Sequence, residues 1–271
     1  MIGKRMFHSS GFLHRKLKGL VIRVFYWLEN NNNIDFYSNG EEYFIDAVTS
    51  YLTSLKHSHI EIFDIGANKG EYSLILLDKF SKHSIDARVH IFEPTESCFR
   101  LLLDGYGAMP NFVLNQTAVS NKSGTAQIYY DQQESVLASL HQRNLSAFGL
   151  TLDHSETVQT VRLDNYIQNR KIDHIHLLKI DIEGHEFAAF EGMGENLSGD
   201  FVDFVQFEYG GANLDSKTSL MDLFELFSLN GFAVAKIMPK GLELRSYKPW
   251  MENFQYANYV AVSKNLLKTL S

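Results

Sequence analysis

From Ile60 onward the chain alternates short, continuous apolar runs with stretches of helical period: IEIFDIG precedes YSLILLDKF, RVHIFEP precedes SCFRLLLDGY, IHLLKIDIEG precedes FAAFEGM, and FVDFVQFEY precedes LMDLFELFSLNGF. A run that is apolar at nearly every position is a strand covered on both faces, and helices between such runs supply the crossovers that parallel pairing requires. The expectation is an α/β fold: a doubly wound, mostly parallel sheet with helices on both faces. One such domain accommodates most of a 271-residue chain.

Two regions break this rhythm. Between Met1 and Leu28 there are six basic residues (Lys4, Arg5, Arg15, Lys16, Lys18, Arg23) and no acid, so the segment carries +6 in a chain of formal charge −7 and leaves −13 on the rest. An acidic body argues against a nucleic-acid partner. The head does not read as a secretion signal, because Arg23 interrupts its apolar run and ENNNN stands where small residues would be cleaved. Leu17, Leu20, Val21, Val24 and Leu28 fall at helical spacing, which predicts an amphipathic helix. Such a helix docks on its own domain, on a homodimer mate, or, through residues 4–28, peripherally on an anionic membrane face. Residues 1–38 are therefore set apart from a domain spanning 39–271, which a helix from about Glu41 to Leu55 introduces. The second break is an irregular, polar stretch of about 131–157, flanked by the strand-like GTAQIYY and ETVQTVRL and read as a substrate-side lid. Cys98, the single cysteine, reads as a core thiol and suits a reducing, cytoplasmic setting.

In a parallel sheet ligands gather at the carboxyl ends of the strands, where the strand order reverses. The first strand ends in FDIGANKG, with Gly66 and Gly70 letting backbone come close to a ligand. Positions 66, 68 and 71 are Gly, Asn and Glu, so the G-x-G-x-x-G spacing of a pyrophosphate loop is missing. Asp64 instead offers an acceptor for an amino group, and Glu93, at the end of HIFEP, stands where both hydroxyls of a ribose can donate to one carboxylate. An acid, a glycine turn and a second acid describe a positively charged nucleoside such as S-adenosylmethionine.

FDIGANKGEYS, VHIFEP, NQTAVSNKSG, VRLDNYI, LLKIDIEGHEFAAFEGM and FVQFEYG, in this order, resemble the FkbM family of S-adenosylmethionine-dependent methyltransferases, from about Asn39 to Phe232. The resemblance implies a class I methyltransferase (Rossmann-like) domain with a seven-stranded sheet. It also implies that Asp64, Gly66, Asn68 and Gly70 line the methionine side, Glu93 the ribose and Asn115 to Ala118 the adenine edge, with Tyr72 and Asp181 among the cofactor-binding residues. Family members are similar in methylating hydroxyl oxygens, often on sugars of surface polysaccharides, glycolipids or glycosylated metabolites. The alternatives are a methyltransferase of a non-sugar secondary metabolite and a silent nucleoside-binding scaffold.

Transfer from a sulfonium needs alignment, exclusion of water and removal of the acceptor's proton. Asp181, His185 and Glu208 are the catalytic candidates, since Asp181 and Glu208 close neighbouring strands and His185 opens a helix. His185 either accepts the proton or merely packs at the helix start. Asp181 and Glu208 either ligate Mg²⁺ or hydrogen-bond substrate hydroxyls. Tyr209, Gly210 and Gly211 offer a sugar face or a simple turn. The other histidines read as structural or superficial, with His154 in the lid as the one to test, and His174 and His176 on one strand face.

Overall fold

The computed structural model describes residues 11–55 and 59–270. Lys4, Arg5, His8 and His57 lie outside them. The strands are β1 (Ile60–Ile65), β2 (Ala87–Phe92), β3 (Phe112–Asn115), β4 (Ala118–Val119), β5 (Gly124–Tyr130), β6 (His154–Val161), β7 (Ile175–Ile180), β8 (Val202–Tyr209), β9 (Phe232–Met238), β10 (Gly241–Leu244) and β11 (Ala257–Ser263). The α-helices are α1 (Phe12–Leu28), α2 (Glu41–Leu55), α3 (Glu71–Lys82), α4 (Glu96–Tyr106), α5 (Leu163–Arg170), α6 (Glu186–Glu191), α7 (Ala212–Ser216), α8 (Leu220–Leu229) and α9 (Lys264–Leu270).

The main sheet runs β10-β9-β11-β8-β7-β1-β2-β3. Strands β3, β2, β1, β7 and β8 pair in parallel, and β11 runs antiparallel between β8 and β9. The sheet is doubly wound and mostly parallel, as expected, but has eight strands where seven were expected. The extra one is β10, which folds back on β9 as an antiparallel edge. All six residues of β1 and of β7 are buried, which is why both read as unbroken apolar runs. One face of the sheet packs Phe190, Phe207 and Phe227 beneath α5, α6 and α8; the other packs Phe44, Leu76 and Phe80 beneath α2 and α3. Strand order reverses at β1, whose neighbours are β2 and β7, so the carboxyl ends of β1, β2 and β7 open onto one crevice.

A second sheet, β4-β6-β5, stands beside that crevice. Strand β6 takes in His154 to Thr157, the last residues assigned above to the lid. The rest of the lid is irregular apart from a 3₁₀ turn at Ser146–Phe148, yet it is pinned: Tyr129 and Ser139 exchange backbone bonds of 2.8 and 3.0 Å, and Ser139 Oγ donates to the Glu183 carbonyl at 2.7 Å. At the other end of the chain no residue of α1 is buried.

Candidate functional site

A cavity of about 400 Å³ occupies the crevice at the carboxyl ends of β1, β2 and β7. Its floor is the turn from Gly66 to Asn68, its roof Ser135, Val136 and Ala138 of the lid. The turn is held by backbone bonds from Gly66 and Ala67 to the Phe92 carbonyl at 2.9 and 3.1 Å. Gly66 has φ +79°, and a Cβ there would stand 1.9 Å from the Asp181 carbonyl oxygen; Gly70 has φ +80° and packs against Leu102 and Tyr106. Both glycines thus serve the left-handed turn and its contact with neighbouring chain; Gly66 also lines the cavity, whereas Gly70 lies outside the lining.

Glu93 lines the cavity and is almost wholly enclosed. Its Oε1 accepts from the Thr95 amide (2.9 Å) and hydroxyl (2.6 Å), and its Oε2 from the Asn68 amide at 2.9 Å. Burial pushes the carboxyl up to about 7 despite these three donors. Asn68, at φ +49°, also donates through Nδ2 to the Ser135 carbonyl at 3.0 Å, and Lys69 pairs with Glu134 at 2.7 Å, so the turn and the lid are fastened together.

Asp64 lies behind the lining. It is fully buried, its Oδ2 accepting from Ser73 at 2.6 Å and its Oδ1 3.6 Å from Lys179 Nζ. Lys179 does line the cavity, with Asp181 Oδ2 3.5 Å from its ammonium. Burial lowers the Lys179 pKa, but Asp181, Asp64 and Glu41 outweigh it and hold the ammonium charged. Tyr72 faces the cavity and donates to Gln206 Oε1 at 2.6 Å, while Gln206 donates to Glu41 at 2.7 Å. Asn115 faces the sheet, giving its Nδ2 to the Ile91 and Val113 carbonyls at 3.0 and 2.9 Å; of the stretch from Asn115 to Ala118 only Thr117 and Ala118 reach the cavity.

Asp181, Glu183 and His185, from the turn after β7, also line the cavity. His185 occupies the N-cap position of α6 without capping it through its side chain. Its ring instead bridges Ser120 Oγ at 2.9 Å and His141 Nε2 at 3.2 Å. Burial, then the neighbouring His141, lowers its pKa to about 4, so the imidazole is uncharged at neutral pH. His141 was not singled out in the sequence because it sits in the lid, 44 residues from its partner. Arg143, also in the lid, pairs with Glu183 and with Asp215, 3.4 Å away.

Glu208 lies outside the lining, its carboxyl pushed up by burial and by Asp181, Glu183 and Glu186. The proposed Asp181 and Glu208 pair does not fit a Mg²⁺ site, since only Asp181 faces the cavity. Among the described residues the one group of three metal-type donors within 4.8 Å of one another is His174, His176 and Asp203, at the amino ends of β7 and β8. There the Glu61 amide already occupies His176 Nδ1 at 3.2 Å. Tyr209 closes β8, is buried and donates to Glu252 at 2.7 Å, so it offers no sugar face, and Gly210 and Gly211 form the turn that follows; the aromatic side chains lining the cavity are Phe36, Tyr72, Phe92 and Tyr256. Glu41, Lys179 and Tyr256 were all missed in the sequence; each comes from an element whose proximity to the turn only the sheet order reveals.

Residues 64–251 match the family described as Methyltransferase FkbM domain. Hexuronic acid methyltransferase AglP of Haloferax volcanii is 26% identical over 162 residues, 59% of this chain and 60% of that protein, so the match spans about three fifths of the relative's length. Among solved structures, the METTL16 MTase domain is similar with a TM-score of 0.44 and 10% identity, covering 94% of this chain and 83% of that one. Fibrillarin of Aeropyrum pernix, with natively bound S-adenosyl-L-methionine, is similar with a TM-score of 0.40 and 11% identity, covering 80% and 74%.

Proposed function

The chain belongs to the FkbM methyltransferase family, and from that premise we propose that it transfers the methyl group of S-adenosylmethionine to a hydroxyl oxygen of a sugar in a polysaccharide, glycolipid or glycosylated metabolite. The observation that carries this reading is the continuity of one cavity from Glu93 to the Asp181 and His185 wall. The residues present fit the cofactor: Glu93 takes the ribose hydroxyls, Thr117 and Ala118 the adenine edge, and the crowded carboxylates beyond Tyr72 suit a cationic methionine end. When bound, the cofactor supplies an electrophilic methyl group.

The chain's own residues do the rest. The lid, fastened through Asn68 and Arg143, excludes water from the cavity. His141 and Ser120 fix the orientation of His185, which is uncharged and lines the cavity; because they engage both of its ring nitrogens, the ring takes the acceptor's proton by exchanging one of these two contacts for the acceptor hydroxyl. Asp181 Oδ positions an acceptor hydroxyl by hydrogen bonding, with Lys179 balancing its charge. The hexuronic acid named for AglP supports a sugar acceptor.

Calorimetry with S-adenosylhomocysteine, followed by transfer from methyl-labelled cofactor to a saccharide panel, tests the reading. Saturable binding and label in an alkali-stable ether support it. Label in an ester or amine overturns hydroxyl transfer, and absence of binding by folded protein overturns the cofactor assignment.

A further inference from the structure

Helix α1 presents its apolar face away from the protein. At about 100° per residue, Trp27, Leu20, Leu13, Val24, Leu17 and Leu28 succeed one another around a single arc of about 100°. Each of these six is between 46% and 80% exposed. The half-buried residues Gly19, Phe25 and Tyr26 centre on the opposite side, where Phe25 packs edge-on against Trp250 at 5.9 Å. Lys16 and Arg23 border one margin of the arc and Lys18 lies beyond the other; the helix contains four basic residues and no acid.

We propose that α1 lies in the interface of an anionic lipid bilayer, with the Leu20 and Val24 side among the acyl chains and Lys16, Lys18 and Arg23 at the headgroups. The charge pattern selects this occupant. A second α1 packed on the same arc would bring two wholly basic helices together without a counter-charge, whereas anionic headgroups pair with the basic margins while the arc is buried. The helix, about 25 Å long, has no span of sufficient length and hydropathy to cross the membrane and lies along it instead. The segment after α1 bonds to the body where Asn32 donates to the Tyr256 carbonyl at 2.9 Å. Tyr256 and Phe36 both line the cavity, so the segment that follows α1 connects the docked helix to the cavity's lining. This inference stands apart from the identity of the reaction.

The test is flotation of untagged full-length protein with vesicles of phosphatidylcholine, with and without about 30% phosphatidylglycerol, together with Trp27 fluorescence and light scattering. Expected are a blue shift that Trp27→Phe removes, binding about tenfold stronger to anionic vesicles and weakened by salt, and loss of binding in Leu20→Glu/Val24→Glu with unchanged S-adenosylhomocysteine affinity. Equal binding by that double variant, or none by folded wild type, overturns the proposal. So does a dimer in lipid-free solution that the double variant dissociates.

Discussion

The Lys179 ammonium stands 3.6 Å from Asp64 Oδ1, an oxygen that is fully buried and has no hydrogen-bond donor among the described residues. The two residues are register partners on β1 and β7, so the contact ties the strands that flank the switch point. Removing one partner leaves a buried charge uncompensated, which costs about 3–5 kcal/mol. Lys179→Met should therefore lower unfolding free energy by that order in urea titrations. Asp64→Asn in the Lys179→Met background should restore part of it, giving a coupling energy of about 1–3 kcal/mol. Additive losses would show that the pair is not interacting.

A pH dependence follows from Glu93. Its carboxyl titrates near 4.5 when unfolded and at about 7 when folded, because burial disfavours its charge. As pH rises between these values the unfolded chain releases its proton first, so stability falls across that window and stays lower above it. The shift corresponds to about 3 kcal/mol at roughly 1.4 kcal/mol per pH unit. His185 acts the other way, gaining stability for the fold as pH rises from about 4 to 6.5. Denaturant midpoints for wild type and Glu93→Gln, measured from pH 4.5 to 8, should diverge in favour of the variant by up to about 3 kcal/mol. A constant difference would contradict the raised pKa.

Asp181→Asn and His185→Ala separate transfer from binding. Both line the cavity and neither bonds to Glu93, whose partners are Asn68 and Thr95, so each should reduce turnover about 100-fold while S-adenosylhomocysteine affinity changes less than about threefold. Calorimetry and single-turnover transfer read the two effects independently. Retained turnover in both variants would remove the acceptor-side assignment.

The parts legible in sequence were those that local pattern dictates. Helix α2 begins and ends where its periodicity does, and β1, β7 and β8 announce themselves because both faces are buried. Asp64 and Glu93 stood out by position, yet only Glu93 lines the cavity: the register sets Asp64 opposite Ile91, inside the sheet, whereas Glu93 stands two residues further along, just past the end of β2. Glu41 was illegible for another reason: it lines the cavity from the start of α2 and is held there by Gln206 on β8, 165 residues away, a contact that local sequence does not encode. His141 likewise joins His185 only because Arg143 and Ser139 pin the lid to the Glu183 turn.

The two glycines of the β1 turn should respond differently to alanine. Both have positive φ, which costs a non-glycine residue about 1–2 kcal/mol. At Gly70 the added methyl meets the Leu102 Cδ2 at 2.8 Å and a Tyr106 ring carbon at 3.1 Å, both on side chains that can turn aside. At Gly66 it meets the Asp181 carbonyl at 1.9 Å, and that backbone is held by the Asp181 amide bonding to Ile65 at 3.0 Å. Gly66→Ala must therefore separate β1 from the Asp181 turn, for a loss above about 4 kcal/mol against about 2 kcal/mol for Gly70→Ala. Urea midpoints give the order, and transfer activity gives its functional counterpart, since only the Gly66 substitution displaces Asp181. Equal losses would mean that the position of Asp181 is set elsewhere than by this crossing of two backbones.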